Sequence, residues 1–369
     1  MPGPGPGVVG EALSRWVVER CTGELGFALA GVCEARPSDR AEAFMRWLEQ
    51  GHAGQMAYLR ERAGTRLDAS RELPGVRSVL MVAERYAPRG HEDGALADGH
   101  ARVARYARGR DYHLVLKKRL HRLADALRAS FPGERFRSFV DSAPVHEREH
   151  AQRAGLGWVG KHTLLIHPRA GSWFVLGGML TTLHLPELPE GAPIADACGT
   201  CTRCIDVCPT GAITPYSVNA SRCISYLTLE HEGPVDADLG AQTAPWLAGC
   251  DVCQEVCPHN SARAGAGVGT GTGAESGARA RASLPILDVL AWDGAERARA
   301  LGASAVKRAS LEMLRRNAVL ATLAHLRTPG SAQKDELRAR LVMLEADAGE
   351  SPGVREAARL VLRAVPEGT

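Results

Sequence analysis

Along the first half of the chain, apolar residues recur either every three to four positions or in short runs, the rhythms of half-buried helices and of strands. The first rhythm predicts helices over residues 11–21, 40–50 and 113–128, the last carrying Leu114, Leu116, Leu120, Leu123 and Leu127. The second predicts strands over 27–32, 76–83 and 137–140, then a pair over 164–167 and 173–180 joined by a turn at Gly171. A further helix fits between 144 and 152. Helices interleaved with strands predict an α/β or α+β domain over residues 11–195, preceded by a flexible tail over 1–10. Residues 196–260 show little periodicity, and 261–282 are so rich in Gly, Ala, Ser and Thr that a mobile linker is expected. From 283 to 369 the helical period returns, over 305–326, 335–346 and from Ser351-Pro352 onward, a cap residue followed by proline at the first helical position. Short links between these helices predict a HEAT-like helical repeat, which must lean on the preceding domain to bury its faces.

A chain of 369 residues holds two or three such domains. No apolar stretch approaches the ~18 residues of a membrane span, and the MPGPGPGVVG start lacks the layout of a signal peptide. The expectation is a cytoplasmic monomer. A net charge of +3 implies no polyanionic partner by itself. Residues 102–128, however, hold nine Arg or Lys against two acids, and Lys307, Arg308, Arg315 and Arg316 crowd together further on. Two basic tracts keep a nucleic-acid partner in view.

Ten cysteines in such a chain point to metal before disulfides. Cys198, Cys201, Cys204 and Cys208-Pro209 follow the bacterial ferredoxin spacing, in which three thiolates hold one four-iron cluster and the fourth serves another. Cys250, Cys253 and Cys257-Pro258 repeat the last three positions, with Leu247 where a first cysteine would stand and Cys223 left to fill the gap. One cluster then falls to Cys198, Cys201, Cys204 and Cys257, the other to Cys208, Cys223, Cys250 and Cys253; a pair of zinc sites is the alternative. Cys21 and Cys33 read as buried apolar residues.

Two clusters form a one-electron relay, which needs a terminus where chemistry occurs. In the α/β domain, Asp141-Ser-Ala-Pro144 leaves a strand and enters a helix, where side chains face a crevice and an acid would be useful; a helix cap is the plain alternative. The loop Gly155-Leu-Gly157-Trp-Val-Gly160-Lys161 lets backbone approach a phosphate or flat cofactor, or simply turns tightly, and Lys161 is a candidate contact.

Taken with RYARGRDYH, FVDSAPVHERE, AGLGWVGKHTLLI and SAVKRASLEMLRRNAVLATL, these motifs resemble the epoxyqueuosine reductase family over most of residues 10–365. The resemblance implies a cobalamin in the N-terminal domain, two [4Fe-4S] clusters beside it, and a helical C-terminal unit that helps hold a tRNA with a GUN anticodon. It makes Asp141 the proton donor and places Asp111, Tyr112 and Ser225 near the corrinoid. It leaves Lys307, Arg308, Arg315 and Arg316 as candidate tRNA contacts, and an external flavodoxin or ferredoxin as electron donor. Expelling the epoxide oxygen as water takes two electrons and two protons, so Asp141 should be protonated near neutral pH, its pKa raised by burial against the corrin face. His146 and His162 depart from the family pattern, in which an apolar residue and Asn are expected. Another corrinoid iron–sulfur oxidoreductase, such as a reductive dehalogenase, and a plain electron carrier are the competing readings.

Overall fold

The computed structural model describes residues 1–5, 7–90, 93–261 and 281–366. Its N-terminal half is built on a four-stranded sheet in the order Leu29–Glu34, Ser78–Arg85, Phe174–Thr181, Phe136–Phe139, with every pairing antiparallel. Ser78–Arg85 is buried at all its positions, as its continuous apolar run requires. Alternate side chains serve opposite faces. Leu80 and Val82 join Leu13 and Val17 of helix Gly10–Thr22 and Leu120 and Leu123 of helix Tyr112–Ser130 on one side. Val79, Met81 and Ala83 meet Ala151 of helix Glu147–Arg153 on the other. The segment expected as a tail lies on the first of these cores, with Met1 and Val8 packed against it.

The strands expected at 164–167 and 173–180 do not pair with each other. Leu165–Ile166 pairs with Trp158–Val159, and only a single bridge, His167 to Gly171, spans the turn before Phe174–Thr181 crosses into the main sheet. Gly157 makes this hairpin possible, since a Cβ there would stand 2.3 Å from the Ile166 carbonyl oxygen.

A second, three-stranded sheet has no counterpart in the sequence pattern. His100–Val103 lies at its centre, parallel to Trp246–Ala248 and antiparallel to Ser283–Pro285. It draws one strand from each of the three expected domains. Around it Val103, Leu247 and Leu284 share a core with Leu314 and Leu320 of helix Leu311–Leu326 and with Val354 and Val361 of helix Pro352–Ala364. The helix expected over 305–326 is broken: Ala305–Arg308 is a single tight turn, and Ser310 then caps Leu311–Leu326 by accepting from the Met313 N–H. Most of the expected linker lies outside the described residues, among which no helix is long and apolar enough to cross a membrane.

Candidate active site

The eight motif cysteines form no disulfides and line two cavities in the sets read from their spacing. Cys198, Cys201, Cys204 and Cys257 surround a small one, and Cys208, Cys223, Cys250 and Cys253 line part of a larger one of about 420 Å³. Among the described residues no three His, Cys, Asp or Glu side chains converge to hold a single ion. Thiols spread around a cavity suit a cage-sized cluster better than zinc, whose ligands stand ~2.3 Å from one point. The Gly155–Lys161 loop belongs to the smaller cavity. Gly160 carries no Cβ because one would lie 2.4 Å from Ile166 Cδ1 and 3.4 Å from Cys198 Sγ.

The larger cavity joins the second tetrad to the acidic loop. Tyr106, Tyr112, Phe174, Val175 and Leu164 give it aromatic and apolar walls, and Asp141 and His113 enter from one side. Asp141 sits just past strand Phe136–Phe139 in a left-handed backbone conformation (φ 49°) that few residues other than glycine adopt. Its Oδ2 accepts from the Tyr112 hydroxyl at 2.8 Å and faces His113 Nε2 at 3.2 Å. The other ring nitrogen, Nδ1, lies 2.7 Å from Asp111 Oδ1, and Lys307 Nζ stands 2.7 Å from Asp111 Oδ2. Asp111 also caps helix Tyr112–Ser130 through the His113 N–H, which fixes the ring between two carboxylates.

In this geometry the contacts of Asp141 favour its ionised form. Partial burial does raise the cost of its charge, but the hydrogen bonds from His113 and Tyr112 outweigh it and hold the carboxyl down at about 2. Burial would lower the His113 pKa, yet Asp141 and Asp111 together raise it. Glu147, by contrast, is raised: burial and the nearby Asp141 charge push it up to about 8. Its Oε1 accepts the Asp141 backbone N–H at 2.6 Å.

The other candidates divide. Tyr112 and Ser225 line the larger cavity; Asp111 stands behind it, a buried brace for His113. Lys161, expected near a corrinoid, lines the smaller cavity and donates to the backbone carbonyls of Gly199 and Cys201, tying the first cysteine loop down. Arg308 reaches the larger cavity and pairs with Glu230. Arg315 pairs with Glu350. Arg316 cannot be a tRNA contact: it is 1 % exposed, and its guanidinium donates to the carbonyls of Leu227, His231 and Gly233. His146 lies near Ser38 Oγ and Glu149 Oε2, edge-on to Phe44, while His162 is buried at both cavities and held neutral, its pKa pushed by burial down to about 4. From the sequence alone His113 invites a metal-ligand reading but is set aside as a cap or surface residue at a helix start, and Glu147 is passed over, although each lies within a quoted motif.

Comparison with known proteins places this geometry. Residues 66–142 match the family described as epoxyqueuosine reductase QueG, DUF1730, and residues 197–260 match the 4Fe-4S double cluster binding domain. The chain is 40 % identical to the epoxyqueuosine reductase of Xanthomonas campestris pv. campestris, across 80 % of this chain and 82 % of that one. Against the Burkholderia pseudomallei enzyme it is 38 % identical across 92 % and 90 %. Its fold superposes on an epoxyqueuosine reductase crystallised with an epoxyqueuosine-modified tRNA-Tyr stem loop, with TM-score 0.81 and 26 % identity over 96 % of this chain and 90 % of that one. It also superposes on the Bacillus subtilis enzyme, captured with its catalytic aspartate loop swung out of the active site, with TM-score 0.79 and 25 % identity over 96 % and 91 %. With identity at this level over most of both chains, and with both thiol tetrads and the acidic loop in place, this chain belongs to the epoxyqueuosine reductase family of oxidoreductases.

Proposed function

We propose that the chain reduces the epoxide of epoxyqueuosine in tRNA to the alkene of queuosine, holding a cobalamin in the larger cavity and a [4Fe-4S] cluster on each thiol tetrad. The observation that carries this reading is a single cavity lined by both Asp141 and the second tetrad, so that a proton source and an electron route meet in one space. Its aromatic and apolar walls suit a broad flat macrocycle, and Tyr112 and Ser225 are the contacts favoured by position. When bound, the corrinoid and the clusters would supply the two electrons that the reduction consumes.

The protein's own part is proton management. In this reading Asp141 protonates the departing oxygen, and its proton comes from the imidazolium of His113, 3.2 Å away. A carboxyl held ionised until then gives up no proton prematurely. It passes one on only as negative charge develops on the oxygen, which is when transfer lowers the barrier. Asp141 and Asp111 keep His113 charged, Lys307 holds Asp111 in place behind the ring, and Tyr112 fixes the accepting oxygen. By analogy with the Bacillus enzyme, the Asp141 loop is the moving part, lying here in its inward position.

The substrate by this reading is a tRNA with a GUN anticodon, as the stem-loop complex of the relative supports. Lys307 and Arg308 lie nearest the cavity among the basic candidates, and the C-terminal helices form the HEAT-like unit that carries the stem. A flavodoxin or ferredoxin delivers the electrons. The test is anaerobic purification, metal analysis and turnover of an epoxyqueuosine-bearing stem loop followed by mass spectrometry. About eight irons and one cobalt per chain with formation of queuosine are expected; iron without cobalt after reconstitution with cobalamin would overturn the reading.

A further inference from the structure

We infer that Glu147 is a positioning residue that latches the Asp141 loop in its inward conformation by accepting the Asp141 backbone N–H. The inference deepens the reading of Asp141 as proton donor and rests on it.

Asp141 follows a strand whose ladder ends at Phe139, so its N–H has no partner in the sheet. Its left-handed φ turns that N–H out of the strand direction and onto Glu147 Oε1, 2.6 Å away. Glu147 is well placed to hold it, because it opens a helix whose Ala151 is packed in the sheet core at 0 % exposure. Between the two residues the backbone closes only tight local turns, Ser142 N–H to the Val140 carbonyl and Val145 N–H to the Ala143 carbonyl; Val145 is itself anchored, buried in the sheet core with its carbonyl accepting from Arg66 Nη1 at 3.2 Å, so the stretch left to the Glu147 contact is 141–144. The side-chain contacts to Tyr112 and His113 therefore depend on a backbone conformation that the Glu147 contact fixes. Burial and the Asp141 charge keep the Glu147 carboxyl protonated near neutral pH, which makes a neutral amide its close mimic.

A plainer role competes: an acid in the first turn simply favours the helix dipole. Two substitutions separate the roles in the full-length, cluster-loaded protein. Glu147→Gln keeps the reach and the neutral acceptor but can never ionise; Glu147→Asp keeps the carboxyl and withdraws the oxygen by one methylene. Hydrogen exchange of the peptide spanning 141–146, measured without substrate, reads the latch directly, and kcat and KM on the modified stem loop read its consequence. Glu147→Asp is expected to speed exchange in that peptide and to lower kcat by about tenfold each, the size of one lost hydrogen bond. KM and iron content should stay unchanged, and Glu147→Gln should remain within about threefold of wild type on both measures. The reverse ranking, or unchanged exchange in Glu147→Asp, overturns the latch. Because exchange is read without turnover, failure of the latch stays distinguishable from failure of Asp141 as donor, which Asp141→Asn tests by activity alone.

Discussion

Replacing Arg316 by Met offers a sharp test of how the basic tract of the C-terminal helices is used. Methionine keeps most of the apolar stem but removes the guanidinium, leaving the carbonyl of Leu227 unpaired in a buried site and those of His231 and Gly233 in partly buried ones. One fully buried acceptor costs about 1–3 kcal/mol and two that water can partly reach cost less, so a loss of about 3–5 kcal/mol follows. That is a large share of the ~5–15 kcal/mol by which a domain is stable. The assay is urea unfolding followed by circular dichroism, alongside tRNA binding measured at several salt concentrations. Because Arg316 reaches no phosphate, the slope of log K against log salt should match the wild type under conditions where the variant is folded. A true phosphate contact would flatten that slope by about 0.7–0.9. An unchanged urea midpoint together with a flattened slope would refute the placement of Arg316.

Asp141→Asn should abolish turnover while iron and cobalamin contents stay at wild-type levels; near-normal turnover would remove the donor role. The same substitution should lower the His113 pKa, read from the imidazole NMR titration, because one of the two carboxylates that raise it is gone. The pair also sets a pH window for stability. The Asp141 contribution is present above the ordinary 3.8 and is lost as pH falls toward about 2. That of His113 is complete below its ordinary 6.5 and is lost as pH rises through its raised value. Urea midpoints from pH 2 to 9 should show both losses in wild type; in Asp141→Asn the acid loss at this site should disappear and the His113 loss should shrink to what Asp111 sustains. Gly160→Ala pushes a methyl to within 2.4 Å of Ile166 Cδ1, beside Cys198. Iron per chain should drop toward about four as the first cluster is lost, and full iron content would show that the loop gives way.

The periodic helices and the cysteine sets were legible because their signals are local: spacing alone places a side chain on a face or a thiol in a tetrad. The three-stranded sheet was not, since Trp246–Ala248 and Ser283–Pro285 are three residues long and too short to show a period. Asp141 was brought to the cavity by the sequence, but the contacts that favour its ionised form were not legible, because they come from Tyr112 and His113, 29 and 28 residues earlier, whose approach is a property of the fold. Arg316 was misassigned by charge counting. Its neighbours Met313, Leu314, Asn317, Ala318 and Leu320 are all buried, so the helix face on which it stands points inward, and that much the 3.6-residue period already contained.

The three-stranded sheet also sets a clock. His100 and Ser283, hydrogen-bonded neighbours in it, are separated by 183 residues of chain. At a ribosome's ~5–20 residues per second, the first strand waits roughly 10–40 s for the last. All eight cluster cysteines emerge within that interval, before the third strand can complete the sheet. Nascent chains therefore present their thiols to iron delivery while one edge of His100–Val103 is still bare, and premature termination upstream of Ser283 leaves a product that carries both ligand sets but exposes an unpaired edge to aggregation.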